Sequence, residues 1–204
     1  MHIEFLVEDI STEAALTNLL PRLLPPGDTF TIHPHQGKKD LLRRLPGILK
    51  GYRQWLPPDY RIVVLIDEDR EDCMQLKQDL ERFALEAGFA TRQTARQGSV
   101  YQVLNRIAVE ELEAWFFGDT AALAAAYPGV SPTLDRVAAY RDPDAISGGT
   151  WEALERVLRR AGHCRCGLLK VETARKVSRE MDPVRNRSRS FQAFRNGLMA
   201  LVAG

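Results

Sequence analysis

The amino-acid sequence predicts an α/β fold in which a parallel β-sheet is flanked by helices and followed by a helical C-terminal region. Over the first 90 residues, apolar segments of strand length alternate with amphipathic helical segments. One strand segment, 60–67, has a continuous apolar centre, which is typical of a parallel strand covered on both faces. After residue 119 the pattern is helical, with turn-rich loops. We therefore predict an α/β domain at 1–118 and a helical region at 119–204 packed on it.

The individual elements of this fold can be followed along the chain. Strands are expected at 2–7, 29–33, 60–67 and 99–109. Helices are expected at 11–24, 38–56, 71–88, 110–119, 120–129, 150–162, 170–183 and 190–204. Ser11 or Thr12 is the expected N-cap of the first helix, and Pro46 is expected to kink the second. Alternating strands and helices imply parallel strands joined by crossover helices.

The composition is that of an ordinary globular protein. The chain has 204 residues, of which 45% are hydrophobic and 27% charged, and this is enough for one full core. No apolar run approaches the roughly 18 residues that a membrane helix needs, and the N-terminus lacks the pattern of a signal peptide. Three cysteines argue against a disulfide framework. We expect a cytoplasmic protein.

The charge is divided unevenly along the chain. Residues 150–204 contain 12 Lys and Arg against 5 Asp and Glu, a net charge of +7, and the remainder carries −6. An acidic part can hold cations, and a basic surface can hold a polyanion such as nucleic acid. The alternative is that both parts are simply solvated surfaces.

Acidic residues recur after three of the predicted strands. They are Glu8 and Asp9 after the first strand, Asp67 and Asp69 after the third, and Glu110, Glu111 and Glu113 after the fourth. In an open parallel sheet the carboxyl ends of the strands form the ligand-binding edge. Carboxylates brought together there repel one another unless a cation lies among them. A hard divalent cation such as Mg²⁺ takes oxygen ligands, so the pattern predicts a metal site.

Structural roles are the alternative for the same acids. Asp67 and Asp69 could cap the helix that follows them, where negative charge suits the helix dipole. Glu110 and Glu113 are three residues apart and would share one helix face. That face could be solvated while Trp115 and its apolar neighbours enter the core.

Two stretches resemble the TOPRIM domain of topoisomerases, bacterial primases and the overcoming-lysogenization-defect (OLD) nucleases. They are "FLVEDISTE" and "VVLIDEDRED", with a Glu after one strand and an Asp-x-Asp after another. The stretches "HPHQGKKDLL", "NRIAVEELEAWFFGD", "GGTWEALE" and "NRSRSFQAF" resemble an uncharacterised bacterial family near the OLD nucleases. That resemblance extends over nearly the whole chain. It implies phosphodiester cleavage that depends on Mg²⁺ or Mn²⁺.

The resemblance also implies roles for particular residues. Glu8, Asp67 and Asp69 take the positions of the TOPRIM acids. Glu13 is similar to the second acid of the OLD nucleases, although its spacing departs by about one residue from theirs. Glu110 and Glu113 would complete a second metal position, since two metal ions about 4 Å apart can assist an in-line displacement.

Two further expectations accompany the nuclease hypothesis. Lys170, at the start of a predicted helix, is the candidate for neutralising charge on the scissile phosphate. The sequence has no Gly-x-x-x-x-Gly-Lys-Ser/Thr motif, so an ATPase partner would be a separate chain. By resemblance, the role would be defence of a bacterium against phage or mobile DNA.

Basic residues mark candidate contacts to nucleic acid, with DNA favoured over RNA. The candidates are Lys38, Arg185, Arg187, Arg189 and Arg195. The four arginines occur among small polar residues, a combination that suits phosphate oxygens. Lys38 precedes a helix whose N-terminal N–H groups could bind an anion. Phe191 or Phe194 could stack on a base, or could belong to the core.

Two other functions remain open at this point. A glycosyltransferase could hold a metal and a nucleotide-sugar through Asp67 and Asp69, and would then be insensitive to the loss of Glu8. A non-catalytic subunit could bind nucleic acid or a partner protein, and would retain binding without Asp67 and Asp69.

Overall fold

The computed structural model describes residues 1–69, 71–95, 100–164 and 167–203. Its strands are β1 (His2–Val7), β2 (Thr29–Pro34), β3 (Tyr60–Asp67) and β4 (Val103–Ala108). Its α-helices are α1 (Ile10–Leu23), α2 (Lys38–Trp55), α3 (Cys73–Glu86), α4 (Glu113–Gly118), α5 (Thr120–Ala126), α6 (Thr150–Arg160), α7 (Lys170–Glu180) and α8 (Arg189–Ala203). No helix in these four ranges is long and apolar enough to cross a membrane.

The four strands form one parallel sheet in the order β2-β1-β3-β4. The predicted α/β class, with a parallel sheet flanked by helices, is therefore confirmed. The two central strands, β1 and β3, pair with Val7 opposite Leu65. Asp67, at the end of β3, pairs with Ala108 at the end of β4. The carboxyl ends of these three strands consequently lie at one edge of the sheet.

Helices cover both faces of the sheet, and alternate residues of each strand point to opposite faces. Phe5, Val63 and Leu104 belong to a cluster that also contains the core residues of α1 and of the helices from α4 to α8. Leu6 and Val64 belong to a second cluster, with α2 and α3. Double coverage explains why the centre of β3 is apolar throughout. The division of the chain at residue 118 stays a prediction.

Three local expectations need correction. The N-cap of α1 is Asp9 rather than Ser11 or Thr12, and its carboxylate accepts hydrogen bonds from both of their backbone N–H groups. The fourth strand begins at Val103, later than predicted; the expected starting residue, Ser99, lies outside the described residues. The helix expected from residue 110 begins at Glu113, since Glu110 has a left-handed backbone with φ of 61°.

Trp115 joins α4 to α8 in the core. Its side chain is fully buried, its indole N–H donates to the Ser190 hydroxyl at 3.0 Å, and its ring centroid lies 5.1 Å from those of Phe191 and Phe194. Both phenylalanines have no exposed surface, so they are core residues and are not available to stack on a base. Ser188 accepts a hydrogen bond from the Phe191 N–H at the start of α8.

We expect Trp115→Ala to lower the free energy of unfolding by about 3–5 kcal/mol, because it removes a large buried ring and its contacts. Denaturant unfolding followed by circular dichroism measures this. Trp55→Ala is the matched control, since the Trp55 side chain is 58% exposed and its loss should change stability by no more than about 0.5 kcal/mol. Equal effects of the two substitutions would contradict the anchoring role of Trp115.

Candidate functional site

The loops after β3 and β4 are hydrogen-bonded to each other at the carboxyl edge of the sheet. The Glu68 N–H donates to the Ala108 carbonyl at 2.8 Å, and the Asp69 N–H donates to the Glu110 carbonyl at 2.7 Å. The Glu68 carboxylate in turn accepts from the Glu110 N–H at 3.0 Å. These bonds extend the pairing of the two strands by several residues and fix the acidic loops side by side.

Two acidic residues in these loops have an unusual backbone. Asp69 has φ of 53° and Glu110 has φ of 61°, in the left-handed region that residues other than glycine rarely adopt. Such conformations cost free energy and persist only where surrounding contacts impose them. The hydrogen bond from the Asp69 N–H to the Glu110 carbonyl supplies one such contact.

Glu8, Asp67 and Glu113 form a group that we call the acid cluster. The Glu8 carboxylate accepts a hydrogen bond from the Asp67 N–H at 3.2 Å, which places it at the end of β3. Burial raises the pKa of Glu8, as do the charges of Asp69 and Asp9, although the bond from Asp67 opposes the shift. Burial, followed by the charges of Glu8 and Glu113, raises the pKa of Asp67 well above its usual range.

Glu113 is the deepest member of the acid cluster, and it is only 3% exposed. The interpretation of Glu113 as a solvated helix residue is therefore wrong. Burial raises the pKa of Glu113 to about 7, and the charge of Lys170 opposes the shift. The reason for its burial is that α4 starts at Glu113 and enters the core immediately, with Ala114 and Trp115 fully buried.

The structure brings Lys170 to the acid cluster, at the start of α7. Burial opposes its charge, but Glu113, Glu111 and Asp67 outweigh burial and raise the pKa of Lys170. The ammonium also lies over the Trp151 ring, 4.8 Å from its centroid. The sequence-based candidate for a phosphate-neutralising lysine is thus placed beside the predicted acids.

Lys38 lies among a second set of acids. Its ammonium is 2.6 Å from Asp69 and 3.1 Å from Glu71, and it donates to the Glu68 carbonyl at 2.9 Å. The side chain is only 5% exposed. Burial opposes the charge, but the hydrogen bonds to Asp69 and Glu71 raise the pKa of Lys38. Lys38 therefore balances protein carboxylates in the structure, and its predicted contact with nucleic acid stays a prediction.

The loop before α2 explains how Lys38 reaches these acids. The Gly37 N–H donates to the Glu8 carbonyl at 3.0 Å, and the His35 N–H donates to the Val7 carbonyl at 3.1 Å. Gly37 has φ of 90°, which glycine adopts without steric cost. Glu71 is not among the site residues that the sequence predicts, and the run of acidic residues after β3 is its only indication in the sequence.

The remaining predicted acids have other surroundings. The Glu111 carboxylate accepts from the Thr150 hydroxyl at 2.9 Å and from the Trp151 N–H at 2.8 Å, and so caps α6. Glu110 lines an open cavity of about 350 Å³ together with Asp69, Glu71, Glu111, Gly149 and Glu152. Glu13 lines a separate groove between α1 and α7.

The helix-cap alternative for Asp67 and Asp69 is wrong. The helix that follows, α3, begins at Cys73, and its N-cap is Asp72. The Asp72 carboxylate accepts hydrogen bonds from the backbone N–H groups of Met74 and Gln75, at 2.8 and 3.1 Å. Because Asp72 satisfies the helix N-terminus, capping does not explain the two earlier acids.

The arginine-rich segment before and within α8 is bound largely to the protein itself. Arg185 makes a bidentate pair with the buried carboxylate of Asp119, at 2.8 and 2.9 Å. The other intramolecular partners are Asp135 for Arg187, Asp142 for Arg189 and Gln192 for Arg195. The pairs of Arg185, Arg187 and Arg189 attach α8 and the loop before it to the rest of the structure, whereas the Arg195–Gln192 bond lies within α8. Contact of the four arginines with nucleic acid stays a prediction.

The acid cluster suits a hard divalent cation in its donor chemistry. The ligands of the cation would be carboxylate oxygens. The pKa values of the three carboxyl groups are raised because the positive charge near them does not offset their burial. Among the described residues, no three His, Cys, Asp or Glu side chains are arranged as a ready metal-binding group. A cation would therefore require the carboxylates to turn toward it.

The fold and this site define an α/β protein with acidic groups at the carboxyl edge of a parallel sheet. The family model of a domain of unknown function, DUF4276, matches residues 7–199. The chain therefore belongs to the DUF4276 family.

No curated protein matches the sequence. Among solved structures, the chain is similar to the C-terminal region of the OLD protein of Xanthomonas campestris pv. campestris. That similarity has a TM-score of 0.47 at 16% sequence identity and covers 98% of this chain and 95% of the other.

We expect Glu113→Gln to stabilise the metal-free protein at high pH. A carboxyl with a raised pKa binds its proton more tightly in the folded state, so stability falls as pH rises from about 4.5 toward 7. Glutamine stays neutral and avoids this loss, which reaches up to about 3 kcal/mol. Denaturant unfolding in EDTA, near pH 4.5 and near pH 8, measures the difference.

The control for this prediction is Glu180→Gln, at an exposed position near the end of α7. It should show no pH-dependent gain over the parent protein. A gain for Glu113→Gln of the same size at both pH values would mean that the buried charge is not the cause.

Proposed function

We propose that the protein is a metal-dependent nuclease that cleaves phosphodiester bonds at a TOPRIM-like site. The observation that supports this proposal is that Glu8, Asp67 and the buried Glu113 meet at the carboxyl edge of the sheet, with raised pKa values. Burying like charges costs stability, and perturbed carboxyls gathered in this way are characteristic of functional sites. A divalent cation bound among these carboxylates would offset the stability cost of their like charges.

In this proposal the acid cluster holds Mg²⁺ or Mn²⁺. The bound cation would supply an activated water and stabilise negative charge on the phosphate. Asp69 and Glu110 border the adjoining open cavity, where substrate would enter. Glu13 is outside the proposed metal set, because it lines the groove between α1 and α7.

Lys170 has a separate role in the proposal. Its ammonium acts electrostatically on the same carboxylates that would hold the metal, and in this proposal it neutralises charge that develops on the phosphate during cleavage. A preference for DNA and a separate ATPase partner are expectations from the sequence, and a role in defence against phage or mobile DNA follows from the resemblance. They belong to the same proposal.

The direct test is cleavage of single- and double-stranded DNA and RNA with Mg²⁺, Mn²⁺ or EDTA. We expect metal-dependent cleavage that Asp67→Asn lowers by more than about 100-fold, because loss of a ligand should exceed the 10- to 100-fold effect of an outer-shell partner. Asp59→Asn, at an exposed position before β3, is the matched control and should retain full activity.

The outcomes separate the candidate functions. Cleavage that Asp67→Asn retains would mean that this site is not responsible. Nucleic-acid binding without cleavage, equal in the wild type and the variant, would favour the non-catalytic subunit. Calorimetric binding of Mn²⁺ and a uridine nucleotide-sugar, with no cleavage, would favour the glycosyltransferase.

We expect Lys170→Met to lower the cleavage rate by about 100-fold or more while it leaves Mn²⁺ binding unchanged or stronger. The rate falls because a transition-state charge loses its partner, and metal binding does not weaken because a competing cation is removed. Lys176→Met is the control on the same helix, where the ammonium pairs with Glu172. A parallel loss of metal binding in Lys170→Met would indicate a structural role instead.

A further inference from the structure

A groove between α1 and α7 opens beside the acid cluster. The two helices run side by side in the same direction, as two sets of hydrogen bonds show. Asn18 in α1 donates to the Arg175 carbonyl and the Ser178 hydroxyl, each at 3.0 Å. Further along, the Arg22 guanidinium donates to the carbonyls of Ser178 and Met181. The N-termini of both helices therefore lie at the same end of the groove.

The head of the groove adjoins the acid cluster. Its lining starts with Ile10 in α1 and Val171 in α7. These residues directly follow Asp9, the N-cap of α1, and Lys170, the first residue of α7. Asp9 is one of the carboxylates whose charge acts on Lys170. A ligand in the groove would thus reach the acids at one end.

The groove has a volume of about 550 Å³ and an uneven distribution of charge. Arg175 and Arg179 form one side, and Thr17 and Asn18 lie opposite on α1. Ala14 is 8% exposed, and it lines the groove together with the partly buried Val171. The groove therefore offers two cations, several polar groups and an apolar surface. Among the described residues that line it, Glu13 is the acidic one, and it lies in the first turn of α1.

Arg175 and Arg179 are available to a ligand. They are four residues apart on α7 and exposed, so their guanidinium groups lie on one face, about 6 Å apart along the helix axis. Neither guanidinium has a hydrogen bond or ion pair to any described residue. By contrast, internal acceptors bind the guanidinium groups of Arg22, Arg43, Arg82, Arg159 and Arg185.

We infer that the α1–α7 groove binds one single strand of nucleic acid, with Arg175 and Arg179 contacting its phosphates. The inference rests on the proposed nuclease function, because it makes the groove the approach of the substrate to the acid cluster. The groove runs along the surface where α1 and α7 pack against each other, and its two arginines follow one line along α7. Sites for single strands follow the phosphate backbone with positive charge, which Arg175 and Arg179 supply in this groove.

This assignment places the phosphate contacts on α7 rather than in the arginine-rich segment before α8. The arginines of that segment already have partners in the protein, as described above. Glu13 repels anions near the head of the groove, so the phosphates would contact the arginines one and two turns further along α7. The polar side chains of Thr17 and Asn18 would face the same strand.

The test is equilibrium binding of a fluorescent single-stranded oligonucleotide, measured by anisotropy in EDTA so that no cleavage occurs. The variants are Arg175→Gln/Arg179→Gln and the matched control Arg43→Gln/Arg44→Gln, which removes the same charge from exposed side chains of α2. We expect at least about a tenfold loss of affinity in the first variant. The control should bind as the wild type does.

The salt dependence of binding gives a second readout. Each phosphate contact on a single strand contributes about 0.7 to the slope of log affinity against log salt, so losing two should lower the slope by about 1.4. An unchanged affinity and slope in the α7 variant would overturn the inference. An equal loss of affinity for a blunt duplex would also overturn it. Equal displacement of the oligonucleotide by an acidic peptide would overturn it too, and would assign the groove to a protein segment.

Failure of this inference is distinguishable from failure of the nuclease proposal. Binding in EDTA requires neither metal nor cleavage. If Asp67→Asn abolishes cleavage while the α7 variant binds and cuts normally, the groove assignment alone is wrong. If the wild type binds through Arg175 and Arg179 but cuts no substrate with any metal, the groove assignment holds and the nuclease proposal fails.

Discussion

The hydrogen bond from the Asp67 N–H to the Glu8 carboxylate joins the ends of the two central strands, and the candidate site is built around this junction. A parallel sheet places the carboxyl ends of β1, β3 and β4 at one edge, so acids that are far apart in sequence must meet there. Like charges gathered there around the buried Glu113 cost stability. The surrounding structure has to supply backbone hydrogen bonds and cations to hold them.

Two lysines from different parts of the chain supply positive charge at this edge. Lys38 comes from the start of α2 and pairs with Asp69 and Glu71 in the loop after β3. Lys170 comes from the start of α7, and its charge acts on Glu113 and Asp67. The helices after residue 119 are therefore part of the electrostatic balance of the sheet edge. Burial still raises the pKa of Glu113 to about 7, so the charge of Lys170 offsets that burial only in part.

The basic C-terminal part of the chain has two kinds of arginine, although its sequence suggests one. Arg185 forms a bidentate bond with the buried Asp119, and such a pair fixes the geometry between elements. Arg175 and Arg179 are exposed on α7 and have no such bonds to described residues. A net charge counted along the sequence does not separate these roles, because pairing depends on which carboxylates the fold brings near.

The order and type of the main elements, and the recurrence of acids after three strands, could be read from the sequence. Hydrophobic periodicity is local, and the carboxyl edge of a parallel sheet follows from strand–helix alternation. The tertiary structure alone decided that Glu113 is buried, that Glu13 lines another groove and that Lys38 pairs with Asp69. The physical reason is that burial and charge pairing depend on contacts between residues distant in sequence, which no local pattern records.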